Sequence, residues 1–176
     1  VQDENGPCEP VSDYGRAKLD MECAVLQVAA DIGQQTTVLR IGNVAGADAI
    51  LGGWSENMAI DQLPDGRTPR RSYIGPETLA HVIHRLTQVV DLKDIINIAA
   101  AGAVEMGALL DAADLPWSPR RASEDVIEDV GLSTKRLERH VREEALRCSA
   151  DDLVAEWRRF IQYDRKHLND VPQARL

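Results

Sequence analysis

Thr36-Thr37-Val38-Leu39-Arg40-Ile41-Gly42-Asn43-Val44-Ala45-Gly46 is the stretch that decides the fold class. Thr36 to Ile41 is short, β-branched and apolar, with no polar alternation until Arg40. Such a run predicts a strand covered on both faces, as in a parallel sheet. Gly42 to Trp54 is rich in Gly and Ala and reads as a long loop. Upstream, Ser12 or Asp13 can cap a helix that runs to about Asp31 and stops at Gly33. Leu19, Cys23, Leu26 and Ala30 recur at helical spacing and predict its buried face. Helix, loop and buried strand together form one α/β unit.

Downstream the pattern repeats. Asp65-Gly66 marks a turn. Pro76 and Glu77 stand where a helix begins, with Leu79, Val82, Ile83, Leu86 and Val90 as its apolar stripe. Ile95 to Ile98 predicts a second short buried strand, and Val104 to Ala113 another helix. Residues 114–122, with two prolines and two arginines, read as loop. Helical stretches are expected at 133–146 and 150–165, with Ser133 and Ser149 as N-caps. The tail from Asn169 is polar and expected to fray.

Composition bounds the partners. The 176 residues carry 29 acidic against 20 basic side chains, a net charge of -9. That balance argues against nonspecific nucleic-acid binding, which needs cations to neutralise phosphates. Cys8, Cys23 and Cys148 are odd in number and far apart, which fits reduced thiols in a cytoplasmic protein. No apolar run approaches the ~20 residues of a membrane helix. The four histidines do not cluster, so no metal site is expected, and Trp54, Trp117 and Trp157 are read as core or interface anchors. The polar opening Val1-Gln2-Asp3-Glu4-Asn5-Gly6 has no initiator Met and reads as a mid-protein loop, a hint of truncation.

The chemistry-bearing candidates begin with Tyr14-Gly15-Arg16-Ala17-Lys18. Tyr14 and Lys18 are four apart and share one helix face. A free phenol titrates near ~10 and is a poor base at neutral pH; an adjacent ammonium favours its ionised form. Such a pair can exchange a proton with a substrate hydroxyl while hydride moves to or from a nicotinamide.

Around that pair, Pro10-Val11-Ser12-Asp13-Tyr14-Gly15-Arg16-Ala17-Lys18, with Glu22 four residues on, resembles the P-x-S-x-Y-G-x-S-K-x-x-x-E signature of extended short-chain dehydrogenases, the NAD(P)-dependent sugar epimerases and dehydratases. Ala17 stands in place of the usual Ser. The resemblance implies that Tyr14 is the acid/base, that Lys18 binds the nicotinamide ribose, and that Glu22 is structural. Leu39-Arg40-Ile41-Gly42-Asn43-Val44-Ala45-Gly46 resembles the family's L-R-x-x-N-V-Y-G stretch, with Ala45 for the aromatic. It implies cofactor contacts at Ile41, Gly42, Asn43 and Val44, with Asn43 also approaching substrate. Arg70-Arg71-Ser72-Tyr73-Ile74-Gly75-Pro76 resembles R-D-[FY]-I-H-V. There Arg71 falls on an Arg that contacts the diphosphate of nucleotide sugars, while Ser72 replaces Asp and Gly75-Pro76 replaces His-Val. Asn97-Ile98-Ala99 with Val104-Glu105-Met106, and Ser133 to Leu137, resemble later scaffold segments.

The resemblance implies the C-terminal portion of a Rossmann-type doubly wound parallel sheet plus a small, mostly helical substrate-binding lobe. Residues 1–48 and 76–98 would belong to the first, and 49–75 and 99–176 to the second. The expected function is that of an NAD(P)-dependent epimerase or dehydratase acting on a sugar or similar hydroxyl-bearing molecule, with a nucleotide sugar as one candidate substrate and a homodimer as one expected assembly. No glycine-rich G-x-x-G-x-x-G turn occurs in the chain. NAD or NADP would therefore be held mainly by an N-terminal half, and this chain alone would be inactive. The alternative is a non-catalytic member that senses a dinucleotide or binds a protein; retention of Tyr14 and Lys18 favours the enzyme.

Overall fold

Two short parallel strands and the helices on either side of them organise the chain. The computed structural model describes residues 1–92, 95–142, 146 and 149–167. The first helix, α1 (Asp13–Asp31), is capped by Ser12, whose Oγ accepts from the Gly15 N–H at 3.1 Å. Gly33, at φ +67, ends it. Strand β1 (Val38–Ile41) follows, then β2 (Asn43–Val44), β3 (Ala59–Gln62), β4 (Arg70–Arg71) and β5 (Tyr73–Ile74). Helix α2 (Pro76–Thr87) leads to β6 (Ile95–Ile98). Then come β7 (Val104–Glu105), α3 (Met106–Ala112), β8 (Ser118–Arg121), β9 (Asp129–Val130) and α4 (Ala150–His167).

The parallel pairing expected of the two buried runs is present: β1 and β6 align from Val38 opposite Ile95 to Ile41 opposite Ile98. Strand β2 pairs with β5 and β3 with β8, both in parallel. Strand β4 lies between β7, antiparallel, and β9, parallel.

Several expectations need correction. Strand β1 starts at Val38, not Thr36, and is not covered on both faces; none of its residues is fully buried and Ile41 is exposed. Among the described residues it pairs only with β6, so its other edge is open. The buried face of α1 is turned by about one residue. Glu22 and Ala29 face inward with Leu19 and Leu26, while Cys23 and Ala30 are exposed. The cause is a charge pair: Glu22 reaches Arg40 on β1 and draws that face onto the strand. Helix α2 stops before Val90, which is exposed. Val104 and Glu105 form a strand because they pair with β4 before α3 begins. The loops expected at 42–54 and 114–122 hold β2 and β8, two short strands without alternating patterns.

Of the helix expected at 133–146, the described residues show no α-helix; a 3-10 turn stands at Leu137–Arg139, and Leu146 is 3-10 as well. Ser133 therefore caps no α-helix; its carbonyl is taken by the Asn97 side chain. Ser149 does cap α4: its Oγ accepts from Asp152 N–H, and the Asp152 carboxylate accepts from the Ser149 N–H. That reciprocal pair is a capping arrangement. Cys148 and the tail from Asn169 lie outside the described residues.

Two cores result. One gathers Ile50, Leu51, Ile60, Tyr73, Leu109, Leu110 and Leu153, with Trp54, Trp117 and Trp157 packed against it. The other joins Val82 and Leu86 of α2 to Ile96 and Ile98 of β6 and to Leu137, Val141 and Leu146. Leu39 on β1 packs against this second core. Its neighbour Arg40 turns the other way, toward α1, as the strand period requires. Among the described residues no helix is long and apolar enough to cross a membrane.

Candidate active site

Tyr14 and Lys18 occupy the first two turns of α1, where the Ser12 cap fixes the helix start. The Lys18 Nζ stands 5.6 Å from the centroid of the Tyr14 ring. Tyr14 is 73% exposed. One turn on, Glu22 receives two charge-assisted bonds from Arg40, Nε to Oε2 at 2.9 Å and Nη2 to Oε1 at 2.6 Å. The hydrogen bond to Glu22 raises the Arg40 pKa further above its ordinary value. This pair adds a charged contact between α1 and β1 to the inward face of Leu19, Leu26 and Ala29.

Lys18 is the wall between two hollows. On one side a cavity of about 300 Å³ is bounded by Lys18, Glu22, Arg40, Ile41 and Asn97 and by the segment Gln2–Pro10. On the other, a groove of about 460 Å³ runs along β1, with Tyr14, Met21 and Val25 opposite it. The N-terminal segment is stitched down. Gln2 N–H donates to Gly131 O at 2.7 Å, and Ser133 N–H donates to Gln2 O at 2.8 Å. Glu4 is buried, and its Oε1 accepts from the Asn97 N–H at 3.0 Å. Arg136 Nε lies 3.8 Å from the other oxygen. Glu4 thereby occupies a backbone donor of β6 that a neighbouring strand would otherwise take.

Ile41 shares the cavity with Lys18, but the residues after it leave. Gly42 N–H donates to Ile98 O at 2.9 Å and Asn43 N–H to Ser72 O at 3.0 Å, so the chain crosses from β6 to β5. A Cβ at Gly42 would stand 3.0 Å from the Ser72 carbonyl oxygen, so glycine suits this crossing. Val44 lines a separate apolar cavity of about 590 Å³ with Leu79, Ile83, Trp157 and Phe160. Arg71 lies on β4 and donates from Nη1 to the Arg70 carbonyl at 2.8 Å. Burial lowers its pKa from the ordinary guanidinium value. Among the described residues no carboxylate forms an ion pair with it, whereas Arg70 pairs with Asp129 at 3.2 Å. The structure thus groups Tyr14, Lys18 and Ile41, and it places Asn43, Val44 and Arg71 on other strands.

The departures from the family pattern have structural reasons. Ser72 is buried; its Oγ donates to Gly102 O at 3.0 Å and accepts from Leu132 N–H at 2.8 Å. Gly75 leaves room for Glu156 of α4, since a Cβ there would lie 2.1 Å from the Glu156 Oε2. That carboxylate accepts from Thr78 N–H at 2.9 Å and Thr78 Oγ1 at 2.6 Å, and so caps α2. Trp157 lies across Gly46, whose φ is +87. Tyr73 donates from its hydroxyl to Asp48 Oδ2 at 3.2 Å, and burial pushes its phenol well above the usual range. Asp48 also accepts from the N–H groups of Gly46, Ile50 and Leu51. Sequence reasoning missed Glu4 and Glu156, because a carboxylate that binds backbone amides of a distant segment leaves no local pattern. It missed Asp48, whose amide partners are local, because only the fold brings the Tyr73 hydroxyl to it.

The family model described as NAD dependent epimerase/dehydratase family matches residues 1–99. No curated protein matches the sequence. Among solved structures, UDP-glucose-4-epimerase from Stenotrophomonas maltophila, with bound NAD and formylated UDP-arabinopyranose, is similar at 16% identity and a TM-score of 0.69. The similarity covers 92% of this chain and 59% of that one. UDP-glucose 4-epimerase from Thermotoga maritima, with UDP-glucose, is similar at 18% identity and a TM-score of 0.66, over 92% of this chain and 57% of that one. A short-chain dehydrogenase/reductase superfamily protein from Agrobacterium tumefaciens, with bound NAD, gives 15% identity and a TM-score of 0.67, over 93% and 62%. The chain therefore has the Rossmann-type α/β fold of these proteins and spans about three-fifths of their length.

Proposed function

The chain belongs to the NAD-dependent epimerase/dehydratase family, and from that premise we propose that it carries the acid/base pair and substrate-side lobe of an NAD(P)-dependent epimerase or dehydratase acting on a sugar. The single observation that carries the reading is the Lys18 ammonium beside the exposed Tyr14 ring at the start of α1. Tyr14 exchanges a proton with a substrate hydroxyl, and Lys18 supplies the positive charge that favours the ionised phenol during that exchange. NAD(P), when bound, accepts the substrate's hydride and can return it. Lys18 and the backbone at Ile41 would meet the nicotinamide end. Contacts from Gly42, Asn43 and Val44, with Asn43 toward substrate, rest on the sequence resemblance, since the chain there crosses to β5. Arg71, a cation without a carboxylate ion pair among the described residues, suits a diphosphate. The UDP-sugars in the similar structures make a nucleotide sugar the first class to test.

The residues present fit only part of the cofactor. A pyrophosphate is commonly held at a free helix N-terminus. Here Ser12 caps α1, Glu156 caps α2 and Ser149 caps α4. This supports a cradle supplied by the part of the relatives' fold that has no counterpart here, and a chain inactive by itself. We assign residues 1–48 and 76–98 to the nucleotide-binding fold and 49–75 and 99–176 to the substrate lobe. The β1–α2–β6 unit supports that division, with Leu137, Val141 and Leu146 reaching across to seal the second core.

The test uses the protein expressed from its complete reading frame, assayed with NAD⁺ over a panel of nucleotide sugars. Tyr14→Phe should lower turnover by ~100-fold or more, the usual scale of general acid/base catalysis, while NAD⁺ affinity stays the same. The 176-residue chain alone should show no turnover. Equal turnover of Tyr14→Phe and wild type, or no turnover of wild type on any member of the panel, would overturn the reading.

A further inference from the structure

Lys18 and Glu22 are one helical turn apart, where opposite charges are neighbours on the helix surface and pair. Here they do not. Among the described residues Lys18 makes no ion pair, and both Glu22 oxygens are taken by Arg40. The Glu22 side chain is 11% exposed, pressed between the helix and β1. On its other side, Lys18 has the Tyr14 ring, with Nζ 5.6 Å from the centroid. All three charged groups, Lys18, Glu22 and Arg40, border both hollows described above. The carboxylate is thus within a side chain's reach of two cations, and it is bound to the one that comes from the strand.

We propose that Arg40 is a positioning residue that occupies Glu22 and so keeps the Lys18 ammonium free beside Tyr14. This rests on the reading of Tyr14 and Lys18 as the acid/base pair. A guanidinium fork engages both carboxylate oxygens at once, and a lysine at this position would engage one. Without the fork, Glu22 would turn along the helix surface and capture Lys18. The role differs from that of a strut between α1 and β1. For a strut, loss of either partner is equally harmful. For a guard, loss of Arg40 is harmful only while Glu22 keeps its charge.

The test follows contacts between the Lys18 side chain and the Tyr14 ring by nuclear Overhauser effects in selectively labelled protein. Circular dichroism checks the fold of each variant. Wild type and E22Q should show the contact, R40M should lose it, and R40M/E22Q should regain it. Where R40M does not fold, R40K replaces it and should show a weakened contact, restored in R40K/E22Q. Loss of the contact in E22Q, its persistence in the Arg40 variant, or no recovery in the double variant would each overturn the proposal. Turnover insensitive to Tyr14→Phe, with contacts behaving as expected, would instead sink the acid/base reading and leave the positioning role standing.

Discussion

Helix α1 and helix α4 differ sharply in how the rest of the molecule holds them. Helix α4 inserts Leu153 and Val154 into the first core, lays Trp157 over Gly46 and caps α2 through Glu156. Helix α1, which carries Tyr14 and Lys18, fully buries only Ala29. Met21, Val25, Val28 and Ile32 form an exposed apolar stripe along it, and among the described residues β1 has no strand partner but β6. The region built to shape a lobe is over-determined by packing. The region proposed to do chemistry rests on a cap, an ion pair and a thin apolar face of Leu19, Leu26 and Ala29. Stability and chemistry should therefore respond to different substitutions.

The largest expected effect lies in the first core. Leu110 is fully buried there. Leu110→Ala removes its transfer energy and leaves a cavity, a loss of ~2–5 kcal/mol. Urea denaturation of the two proteins checks this. A loss under ~1 kcal/mol would mean that the core collapses around the gap and that α4 and α1 differ little in how firmly they are held.

That contrast was partly legible in the sequence. Ser12, Gly33 and Ser149 announced helix ends because capping chemistry is local. The β1–β6 pair was legible because two apolar runs flank a helix. Strands β4, β5, β7 and β9 were not, since two-residue strands have no period to read. At the site, the Tyr14–Lys18 spacing was readable on its own. The rotation of α1 onto Glu22 was not, because a helix pattern ranks apolar residues and a buried ion pair reverses the ranking at one position. Ser72 and Gly75 were visible as departures, and only the fold supplies their reasons, Gly102 with Leu132 and Glu156.

Gly75 gives the next effect down. Its φ of -73 suits any residue, so the obstacle is space and not backbone strain. Gly75→Ala pushes the Glu156 carboxylate, the end of a flexible side chain, off the α2 cap, a cost of ~1 kcal/mol, that of the cap itself. Glu156→Ala loses the cap, ~1 kcal/mol. In the Glu156→Ala background, Gly75→Ala should be nearly neutral, because the clash partner is gone. Additive losses in that double-mutant cycle would refute the steric account.

Tyr73 offers a comparable effect with a sign set by pH. Burial and the neighbouring Asp48 raise its folded pKa above the unfolded value of ~10. A raised pKa means stability that is complete below the unfolded value and is lost as pH rises past it. Wild type should therefore weaken from about pH 10 upward. Tyr73→Phe should lose ~1 kcal/mol at pH 7 with the hydrogen bond to Asp48. It should then decline less steeply in alkali, since the buried phenol is gone. Parallel alkaline decline of the two proteins in urea titrations would place the sensitivity elsewhere.

Val28, on the outer stripe of α1 and 57% exposed, should respond least. Val28→Ser removes a methyl surface that touches little, so the change in stability should stay within ~0.5 kcal/mol. The concentration dependence of the melt decides what that number means. A small, concentration-independent change leaves α1 as a helix with an uncovered outer face, held by Arg40, the Ser12 cap and the inward Leu19, Leu26 and Ala29. A loss above ~1 kcal/mol that appears only at high protein concentration would show that a second copy covers the stripe, since burial that exists only in an assembly contributes only where the assembly forms. In that case the weakly held helix carrying Tyr14 and Lys18 would be held by its neighbour, and the difference between α1 and α4 would be one of where the packing comes from.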